Sequence, residues 1–451
     1  MTLAQTAAVL GGELVGADVS YADVCTDSRK LKSGDLFVAL RGERFDGHDF
    51  VEQAAAAGAV AALVDQHYRR SVSLPLARVG DTTQGLADLA AHWRSRFTLP
   101  LIAVVGSNGK TTVKEMIAAC LRAHYGEAAV LATRGNLNNH IGLPLTLLTL
   151  RESHRVAVIE LGMNHPGETA QLARIARPTI GVINNAQREH QEFMRSVADV
   201  AAEHADLLRV LPAQGIAVIN ADDGHAATWR SAAAPRVVRD FGTGAAAVHG
   251  ECVLQADGSD LSVSGAAGAV TFRLPLAGEH NVRNALAAIA AATAAGATLE
   301  ACAGALAGFA AVKGRLQLKH GRLGARLIDD SYNANPDSVR AAIDVLAAAG
   351  GRRLLVLGDM GEVGDQGEAF HREIGAYARS RGVDALFAAG EMTRVSVQAF
   401  GSGAGHYVQI EPLIAAVAAQ LGSEVTVLVK GSRFMKMERV VQALEANKAE
   451  S

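Results

Sequence analysis

A short glycine-rich loop, VVGSNGKTT, is the strongest chemical signal in the sequence and runs from Val104 to Thr112. The usual phosphate-binding loop has four residues between its first glycine and its Gly-Lys-Ser/Thr run. Here only Ser107 and Asn108 stand between Gly106 and the second glycine. The apolar LIAVVG before the loop predicts a strand, and KTTVKEMIAACL after it predicts a helix. The N–H groups and dipole at such a helix start favour anions.

This loop is predicted to hold a nucleoside triphosphate. Lys110 is placed to reach the β- and γ-phosphates, and Thr111 to bind Mg²⁺. The alternative is a plain glycine-rich turn between strand and helix, which the Gly-Lys-Thr-Thr run in this context makes less favoured. The residues taken as nucleotide-binding are Gly106, Ser107, Asn108, Gly109, Lys110, Thr111 and Thr112.

Two further residues follow predicted strands. Glu160 ends the strand predicted within RVAVIEL, and carboxylates at the carboxyl ends of parallel strands face ligands and can bind Mg²⁺. His190 follows TIGVINN. The alternatives are a solvated carboxylate and a structural loop histidine.

The run LIDDSYNANPDS supplies Asp, Asn and Tyr side chains that suit a ribose or a base. The alternative is a turn that caps a helix opening at Pro336. Arg315, in VKGR, is placed to reach a phosphate across a domain junction, unless VKGR is only a surface linker.

The elements that position these residues alternate between strand and helix from residue 101 onwards, which predicts a doubly wound parallel sheet. Residues 235–275 change to short alternating segments and predict a small antiparallel addition. The apolar stretch 285–312 predicts two packed helices. The chain therefore divides into a small α/β domain (1–82), a central nucleotide-binding domain (83–313) and a second, Rossmann-like α/β domain (314–451).

Composition narrows the class of protein. The chain has 451 residues, a net charge of −3 and four cysteines without a Cys-x-x-Cys pair. That charge gives no case for nucleic-acid or membrane-surface binding, and the cysteines predict neither zinc nor disulfides. The N-terminus has no basic region before its apolar part, so no signal peptide is expected. We expect a cytoplasmic monomer with no membrane insertion.

Together these motifs resemble the Mur ligase family, whose short phosphate loop GSNGKTT matches. The resemblance covers nearly the whole chain. It rests on TDSRKLKSGDLFVALRGERFDGHDF, GNLNNHIGLPLTLL, ELGMNHPGE, AGEHNVRNALAA, VKGRLQ, IDDSYNANPDS, LGDMGEVG and LVKGSRFMKME. The most similar branch joins D-Ala-D-Ala to UDP-N-acetylmuramoyl-tripeptide. The motifs leave open whether the third residue of that tripeptide is lysine or diaminopimelate.

The resemblance implies a reaction. ATP phosphorylates the terminal carboxylate of the tripeptide, and the amine of D-Ala-D-Ala attacks the acyl phosphate. Three other classes remain as alternatives: another amide ligase of the family, an ATP-driven switch, and a small-molecule kinase.

The resemblance also implies residue roles. Lys110 and Thr111 hold the phosphates and a first Mg²⁺, with Glu160 as a metal ligand and His190 on a second Mg²⁺. The remaining nucleotide contacts are Asn281 and Asn284 near the adenine, and Arg315 and Asp330 on phosphate and ribose. The substrate contacts are Ser28, Arg29, Gly47 and His48 for the uridine diphosphate end, Asn138 and Asn139 in the cleft, and Tyr332, Asn333 and Asn335 for the dipeptide.

One feature departs from the family. Most Mur ligases carry a lysine on the helix after the histidine loop, and its carbamate is an anion near the second Mg²⁺. Here that position is His204, and no lysine occurs between Lys114 and Lys313. We expect Glu203 to supply the anion and His204 only to pack or to hydrogen-bond a carboxylate. The other acidic candidates are Asp206, Glu189 and Glu192, and the alternative is that Glu203 is a solvated helix residue.

Overall fold

Residues 1–446, which the computed structural model describes, form three sheets that succeed one another along the chain. The last five residues of the predicted segment 314–451 lie outside this range. Helices pack on the sheets, so the predicted α/β class is confirmed. The predicted domain boundaries stay predictions. None of the helices within residues 1–446 is long and apolar enough to cross a membrane.

The first sheet is small and mostly parallel, in the order β1–β5–β4–β3–β2, with β1 antiparallel to β5. Its elements are α1 (Leu3–Val9), β1 (Glu13–Val15), β2 (Val24–Cys25), β3 (Leu36–Val38), α2 (Val51–Ala56), β4 (Ala61–Asp65) and β5 (Leu76–Val79).

The central sheet has the order β14–β13–β12–β11–β10–β9–β6–β8–β7. Its elements are α3 (Thr82–Ser95), β6 (Leu101–Val105), α4 (Lys110–Tyr125), β7 (Val130–Ala132), α5 (Gly142–Leu148), β8 (Val156–Glu160), α6 (Glu168–Ala176), β9 (Ile180–Ile183), α7 (Val197–Val210), β10 (Ile216–Asn220), α8 (Ala226–Ala233), β11 (Val237–Gly242), β12 (Val248–Gln255), β13 (Gly258–Gly265), β14 (Gly268–Leu274), α9 (Glu279–Ala294) and α10 (Leu299–Ala307).

Strand β6 shows why this sheet needs helices on both faces. Successive side chains of a strand point to opposite faces. Leu101 and Ala103 pack into the core formed with α3, α5, α6 and α7, whereas Ile102 and Val104 pack into the core formed with α4, α9 and α10. A strand buried on both sides must be apolar throughout, as LIAVV is.

The predicted antiparallel addition is partly wrong. Strands β12, β13 and β14 are antiparallel to one another, as predicted, and they extend the central sheet. The first strand of the segment, β11, is parallel to β10 and belongs to the doubly wound part. Alternation of polar and apolar residues does not reveal which neighbour a strand will pair with. The two helices predicted within 285–312 are confirmed as α9 and α10.

The third sheet has the order β15–β16–β20–β17–β18–β19 and is parallel except for β15. Its elements are β15 (Gln317–His320), β16 (Arg326–Asp330), α11 (Pro336–Ala347), β17 (Arg352–Gly358), α12 (Gly367–Ser380), β18 (Ala385–Ala389), α13 (Thr393–Phe400), β19 (Ala404–Tyr407), α14 (Ile410–Ala418), β20 (Val425–Lys430) and α15 (Glu438–Leu444). Pro336 opens α11, as predicted.

Strands β9, β6 and β8 are direct neighbours and run parallel. Their carboxyl ends therefore lie side by side at one edge of the central sheet. The glycine-rich loop follows β6, Glu160 ends β8, and the segment containing His190 follows β9. This edge is where a doubly wound sheet binds its ligands.

Candidate active site

A cleft of about 1350 Å³ lies between this edge of the central sheet and the third sheet. The glycine-rich loop, Glu160 and His190 line it from one side, and Arg315, Asp330 and Tyr332 line it from the other. The structure thus brings together the three strand ends that the sequence singled out.

The glycines of the loop are required by its backbone. Gly106 and Gly109 have φ angles of +145° and +81°, which L side chains rarely adopt. A Cβ atom at Gly109 would lie 2.5 Å from Oδ1 of Asn284, and one at Gly106 would lie 3.0 Å from Cβ of Asn184. The start of α4 therefore stays open to the cleft, with its N–H groups available to phosphate.

The segment after β9 fixes the shape of the loop. Asn185 Oδ1 accepts the N–H of Asn108 at 2.8 Å, and Asn184 Nδ2 donates to the carbonyl of Asn108 at 2.8 Å. Ser107 Oγ accepts the N–H of Gln187 at 2.8 Å. A loop held in this way does not have to be ordered by its ligand, which favours tight binding.

Lys110 is folded back onto its own loop. Its Nζ lies 2.5 Å from the carbonyl oxygen of Gly106, 3.4 Å from that of Ser107 and 3.1 Å from Oε2 of Glu189. A lysine ammonium has three donors. Lys110 must therefore exchange at least one of these partners in order to contact a phosphate.

Glu160 carries an unpaired carboxylate oxygen. The side chain is 2% exposed, and Oε1 accepts from Asn138 Nδ2 at 2.8 Å. Oε2 is buried without a hydrogen-bond partner. Unsatisfied buried carboxylate oxygens are costly, so such an atom at a cleft wall indicates a site for a cation.

The residues at this wall fit a magnesium ion. Glu160 offers the free oxygen, and the hydroxyl of Thr111 lies at the start of α4 beside the phosphate site. No group of three or more His, Cys, Asp or Glu residues suited to a metal occurs within residues 1–446. Magnesium often binds one or two carboxylates and completes its shell with water and substrate phosphates, so this sparse donor set suits it.

His190 lies between two carboxylates. Its φ of +48° is unusual for a residue other than glycine and turns the ring into the cleft. Nδ1 is 2.6 Å from Oε2 of Glu362, and Nε2 is 3.8 Å from Oε2 of Glu189. Glu362 belongs to the third sheet's domain, so this contact crosses the cleft.

Glu189 is a buried anion surrounded by cations and donors. Its Oε2 meets Lys110, and its Oε1 lies 3.1 Å from Nε2 of His204. Burial raises the pKa of Glu189, but Lys110 and His204 outweigh burial and hold its pKa at about 2. The carboxylate is therefore ionised at neutral pH. The expectation that His204 only packs or bonds a carboxylate is confirmed.

The expectation for Glu203 is wrong. Both of its oxygens accept backbone N–H groups at the start of α6, from Gly167 at 2.7 Å and Thr169 at 2.8 Å. Asp206, the other acidic candidate on α7, pairs with Arg209. Helix periodicity directs Glu203 away from the histidine loop, toward the neighbouring helix.

Arg315 and Asp330 line the cleft as predicted, but both have protein partners. Arg315 Nη2 donates to Oγ1 of Thr111 at 3.0 Å and stacks over the ring of Tyr332 at 4.3 Å. Asp330 Oδ2 lies 2.5 Å from Nζ of Lys430. Burial raises the pKa of Asp330, and Lys430 acts against burial. A ribose contact stays a prediction and requires Asp330 to share its carboxylate with Lys430.

Asn281 and Asn284 lie in the cleft wall behind the loop. Asn284 Oδ1 accepts from Asn184 Nδ2 at 2.9 Å, and its Nδ2 donates to Oδ1 of Asn281 at 3.2 Å. The first of these bonds ties α9 to the segment after β9, and the second lies within α9. The predicted contact with adenine stays a prediction.

The predicted substrate residues of the cleft are present in its lining: Asn138, Asn139, Tyr332, Asn333 and Asn335. Two of them also have structural roles. Asn139 Oδ1 accepts from Gly142 N at 2.9 Å at the start of α5, and Asn335 caps α11 by accepting from Ser338 N at 2.8 Å. The capping alternative for the Asn-rich run is therefore correct for Asn335.

The four predicted uridine diphosphate contacts do not line this cleft: Ser28, Arg29, Gly47 and His48. His48 is 6% exposed, and its Nε2 accepts the N–H of Asp65 at 2.9 Å. A Cβ at Gly47 would lie 2.6 Å from the carbonyl oxygen of Leu40. Both residues help to hold the first domain together, and their role in binding stays a prediction.

Sequence reasoning missed Arg188. Its guanidinium contacts Asp337 at 2.6 Å and Glu373 at 2.7 Å, and its N–H donates to Asp337 at 2.9 Å. Both acidic partners belong to the third sheet's domain. Burial lowers the pKa of Arg188, but these carboxylates outweigh burial and raise it. Its position two residues before His190 in the sequence is the signal that could have identified Arg188.

Sequence reasoning also missed Asn184 and Asn185, which directly follow β9, and Lys430, which ends β20. Thr83 and Gln84 of α3 also line the cleft. Polar residues directly after a buried strand could have identified the first two, whereas nothing local distinguishes Thr83 and Gln84.

Comparison with known proteins places this geometry in a family. Three family models match in order: the Mur ligase family catalytic domain over residues 20–94, the Mur ligase middle domain over 104–292, and the Mur ligase glutamate ligase domain over 314–433.

Similar proteins match over the full length. UDP-N-acetylmuramoyl-tripeptide–D-alanyl-D-alanine ligase of Escherichia coli (strain K12) is 42% identical over 99% of both chains. The protein of that name from Haemophilus influenzae is 39% identical over 99% of this chain and 98% of its own.

Two crystal structures show the same fold. MurF from Acinetobacter baumannii superposes with a TM-score of 0.91 at 33% identity over 98% of both chains. MurF from Thermotoga maritima in complex with ADP gives 0.83 at 25% identity, over 93% of this chain and 96% of its own. With its phosphate loop, strand-end carboxylate and three sheets in this order, the chain belongs to the Mur ligase family.

Proposed function

We propose that this protein is an ATP-dependent ligase that joins D-Ala-D-Ala to UDP-N-acetylmuramoyl-tripeptide in peptidoglycan precursor synthesis. The observation that carries the proposal is the 42% identity, over 99% of both chains, to a relative of that name. The cleft supports it, because a phosphate loop, a free carboxylate oxygen and a histidine converge there.

The first step is phosphoryl transfer from ATP to the terminal carboxylate of the tripeptide. The start of α4 and the loop receive the phosphates, and Lys110 exchanges Glu189 or a loop carbonyl for a phosphate oxygen. Its charge then stabilises the negative charge that shifts between phosphates during transfer. Arg315 lies 3.0 Å from Thr111, which places its guanidinium at the same site from across the cleft.

The metal chemistry follows from the donors already described. Mg²⁺ held by Thr111 and Glu160, and a second ion held by His190, would supply positive charge to the phosphate and acyl oxygens. The protein's own part is to aim the free oxygen of Glu160, which Asn138 fixes by its hydrogen bond to Oε1.

The second step is attack of the dipeptide amine on the acyl phosphate, which releases phosphate and forms an amide. We place the dipeptide near Tyr332, Asn333 and Asn335, on the far wall of the cleft. Closure of the cleft walls excludes water, which would otherwise hydrolyse the acyl phosphate.

The uridine diphosphate end is placed on the first domain, around Ser28, Arg29, Gly47 and His48, with Asn138 and Asn139 between it and the acyl group. The proposed division of the chain is 1–82 for this end, 83–313 for ATP and 314–451 for the dipeptide. One chain builds the whole cleft, which supports a monomer as the working unit. The proposed setting is the cytoplasm, which supplies ATP.

An omission assay tests the proposal. ADP release is measured with ATP and Mg²⁺ present, adding UDP-N-acetylmuramoyl-tripeptide and D-Ala-D-Ala singly and together. A ligase needs both substrates and yields the pentapeptide product. Release with the tripeptide alone would indicate a kinase, and release with neither would indicate a switch. Either result overturns the proposal.

A further inference from the structure

A buried acid–histidine pair lies beside the phosphate loop, and the steps above use its acid only as a partner that Lys110 leaves. Glu189 is 5% exposed, and His204 of α7 is fully buried. Glu189 joins three groups of the site: Lys110 at 3.1 Å, His204 at 3.1 Å and His190 at 3.8 Å. A buried carboxylate so close to the loop lysine influences where that lysine can go.

His204 is oriented so that it serves Glu189. Its Nδ1 is buried without a partner, whereas Nε2 faces Glu189 Oε1. A proton on Nδ1 would lose its hydrogen bond to water and gain none in the protein. We therefore assign the ring proton to Nε2, which donates to Glu189 and fixes the direction of its carboxylate.

The other acidic groups nearby cannot take this place. Glu203 is engaged by the N-terminus of α6, and Asp206 pairs with Arg209. Glu362 belongs to the opposite wall of the cleft and is half exposed, so it meets His190 only when the walls are together. Glu189 is a buried carboxylate of the same domain as the loop, and it contacts both Lys110 and His190.

The lack of a lysine on α7 explains why the anion has to be an unmodified carboxylate. A carbamate on this helix would require a lysine, and none occurs between Lys114 and Lys313. The side chain of His204 reaches the loop only through Glu189. The negative charge at this point of the site is therefore carried by a residue that needs no modification.

We propose that Glu189, oriented by His204, is a built-in anion of the active site that positions Lys110 and draws a cation to His190 without carbon dioxide. This proposal rests on the proposed function for its catalytic readout. Glu189 acts as a positioning residue: it holds Lys110 before ATP binds and leaves an oxygen free toward His190 when Lys110 moves to the phosphates.

The first test removes the charge of the Glu189 side chain and keeps its shape. Glu189→Gln should lower kcat by about 10²-fold, because Lys110 and the cation at His190, which stabilise the developing phosphate charge, lose the anion that positions them. Binding of Mn²⁺ in the presence of ADP, followed by electron paramagnetic resonance, should weaken by about tenfold. Asp206→Asn is the matched control, since it removes an acidic side chain of α7 that lies outside the cleft, and it should change neither quantity.

The second test concerns carbon dioxide. The wild-type protein should show the same kcat with and without bicarbonate, and no carbamate signal in ¹³C NMR with labelled bicarbonate. In the double variant Glu189→Ala with His204→Lys, bicarbonate should restore activity by about tenfold or more. There the lysine amine adds to carbon dioxide, loses one proton and becomes an anion.

The outcomes are decisive in both directions. The proposal is overturned if Glu189→Gln keeps kcat within about threefold and binds Mn²⁺–ADP normally, or if the wild-type protein responds to bicarbonate. Mn²⁺ binding and the NMR signal need no peptide substrate. They therefore test Glu189 even if the omission assay shows that the proposed reaction is not catalysed.

Discussion

Glu189 and Glu203 show at the residue scale that neighbours decide what a carboxylate does. Both are buried, at 5% and 6% exposure. Glu189 faces an ammonium and two imidazoles and belongs to the site, whereas Glu203 faces two backbone N–H groups and belongs to the scaffold. Side-chain type and position along the helix did not distinguish the two.

Lys110→Ala should abolish ligation. The lysine is the cation of the loop that can follow charge during phosphoryl transfer, and loss of such a donor costs about 10²–10³ in kcat. ADP release at saturating substrates measures this, and thermal melting of the variant serves as the control for folding. Activity within about threefold of wild type would refute the assignment.

Glu160→Gln should raise the Mg²⁺ concentration needed for half-maximal rate. Its Oε2 is buried without a partner, and an amide nitrogen at that position would face the cation instead of an oxygen. The weakening expected is about 10–100-fold, measured by magnesium titration of the rate. An unchanged magnesium dependence would show that the free oxygen is not a ligand.

The start of α6 illustrates the element scale. A helix N-terminus leaves N–H groups without partners, and an acidic side chain there is favourable. Gly167 precedes α6 and cannot cap it with a side chain, so Glu203 of α7 supplies both acceptors. One helix thus completes its neighbour, and α6 and α7 are held in register.

Glu203→Ala should destabilise the protein by about 1–3 kcal/mol, because buried N–H groups lose their acceptor. The effect should appear in chemical denaturation, with kcat changed little at temperatures where the variant is folded. Glu203→Gln should be milder, since its amide oxygen can still accept one bond. A tenfold or greater fall in kcat without loss of stability would restore the role predicted from the sequence.

At the scale of the whole molecule, the third sheet's domain meets the central domain through specific polar contacts. Arg188 binds Asp337 and Glu373, and the side-chain amides of Asn108 and Asn335 are 2.9 Å apart. These contacts surround the phosphate loop. Arg315 also reaches Thr111 from the third sheet's domain, so this arrangement suits the closure of the cleft walls proposed above.

Arg188→Ala should loosen this closure. Charge-assisted, forked hydrogen bonds would be lost from the contact between the domains. We expect a larger radius of gyration by small-angle scattering and a fall in kcat/KM of about 10–100-fold through poorer positioning. Arg209→Ala, on the outer side of α7, is the control. Unchanged scattering and kinetics would show that the pair does not hold the domains.

Local patterns predicted the elements well where burial dictates residue type. The strand LIAVV was predictable because both faces of β6 are buried, which requires apolar residues throughout. The loop before the next helix was predictable because its positive φ angles require glycine at positions 106 and 109. Strand β11 was assigned to the wrong kind of pairing, because partner choice is a long-range property. Asn335 caps α11. The sequence had left this capping role open as an alternative, because it depends on a local turn.

The sequence by itself determined the phosphate loop, the strand-end positions of Glu160 and His190, and the absence of a lysine at His204. Each follows from residue type and short spacing. Only the tertiary structure decided which carboxylate contacts Lys110 and His204, and therefore which one is proposed to supply the anion. Glu189 and His204 are 15 residues apart, and their contact depends on how α7 packs beside the end of β9. Glu189 and Glu203 differ in the direction of their side chains, and the spacing of residues along the sequence does not determine that direction.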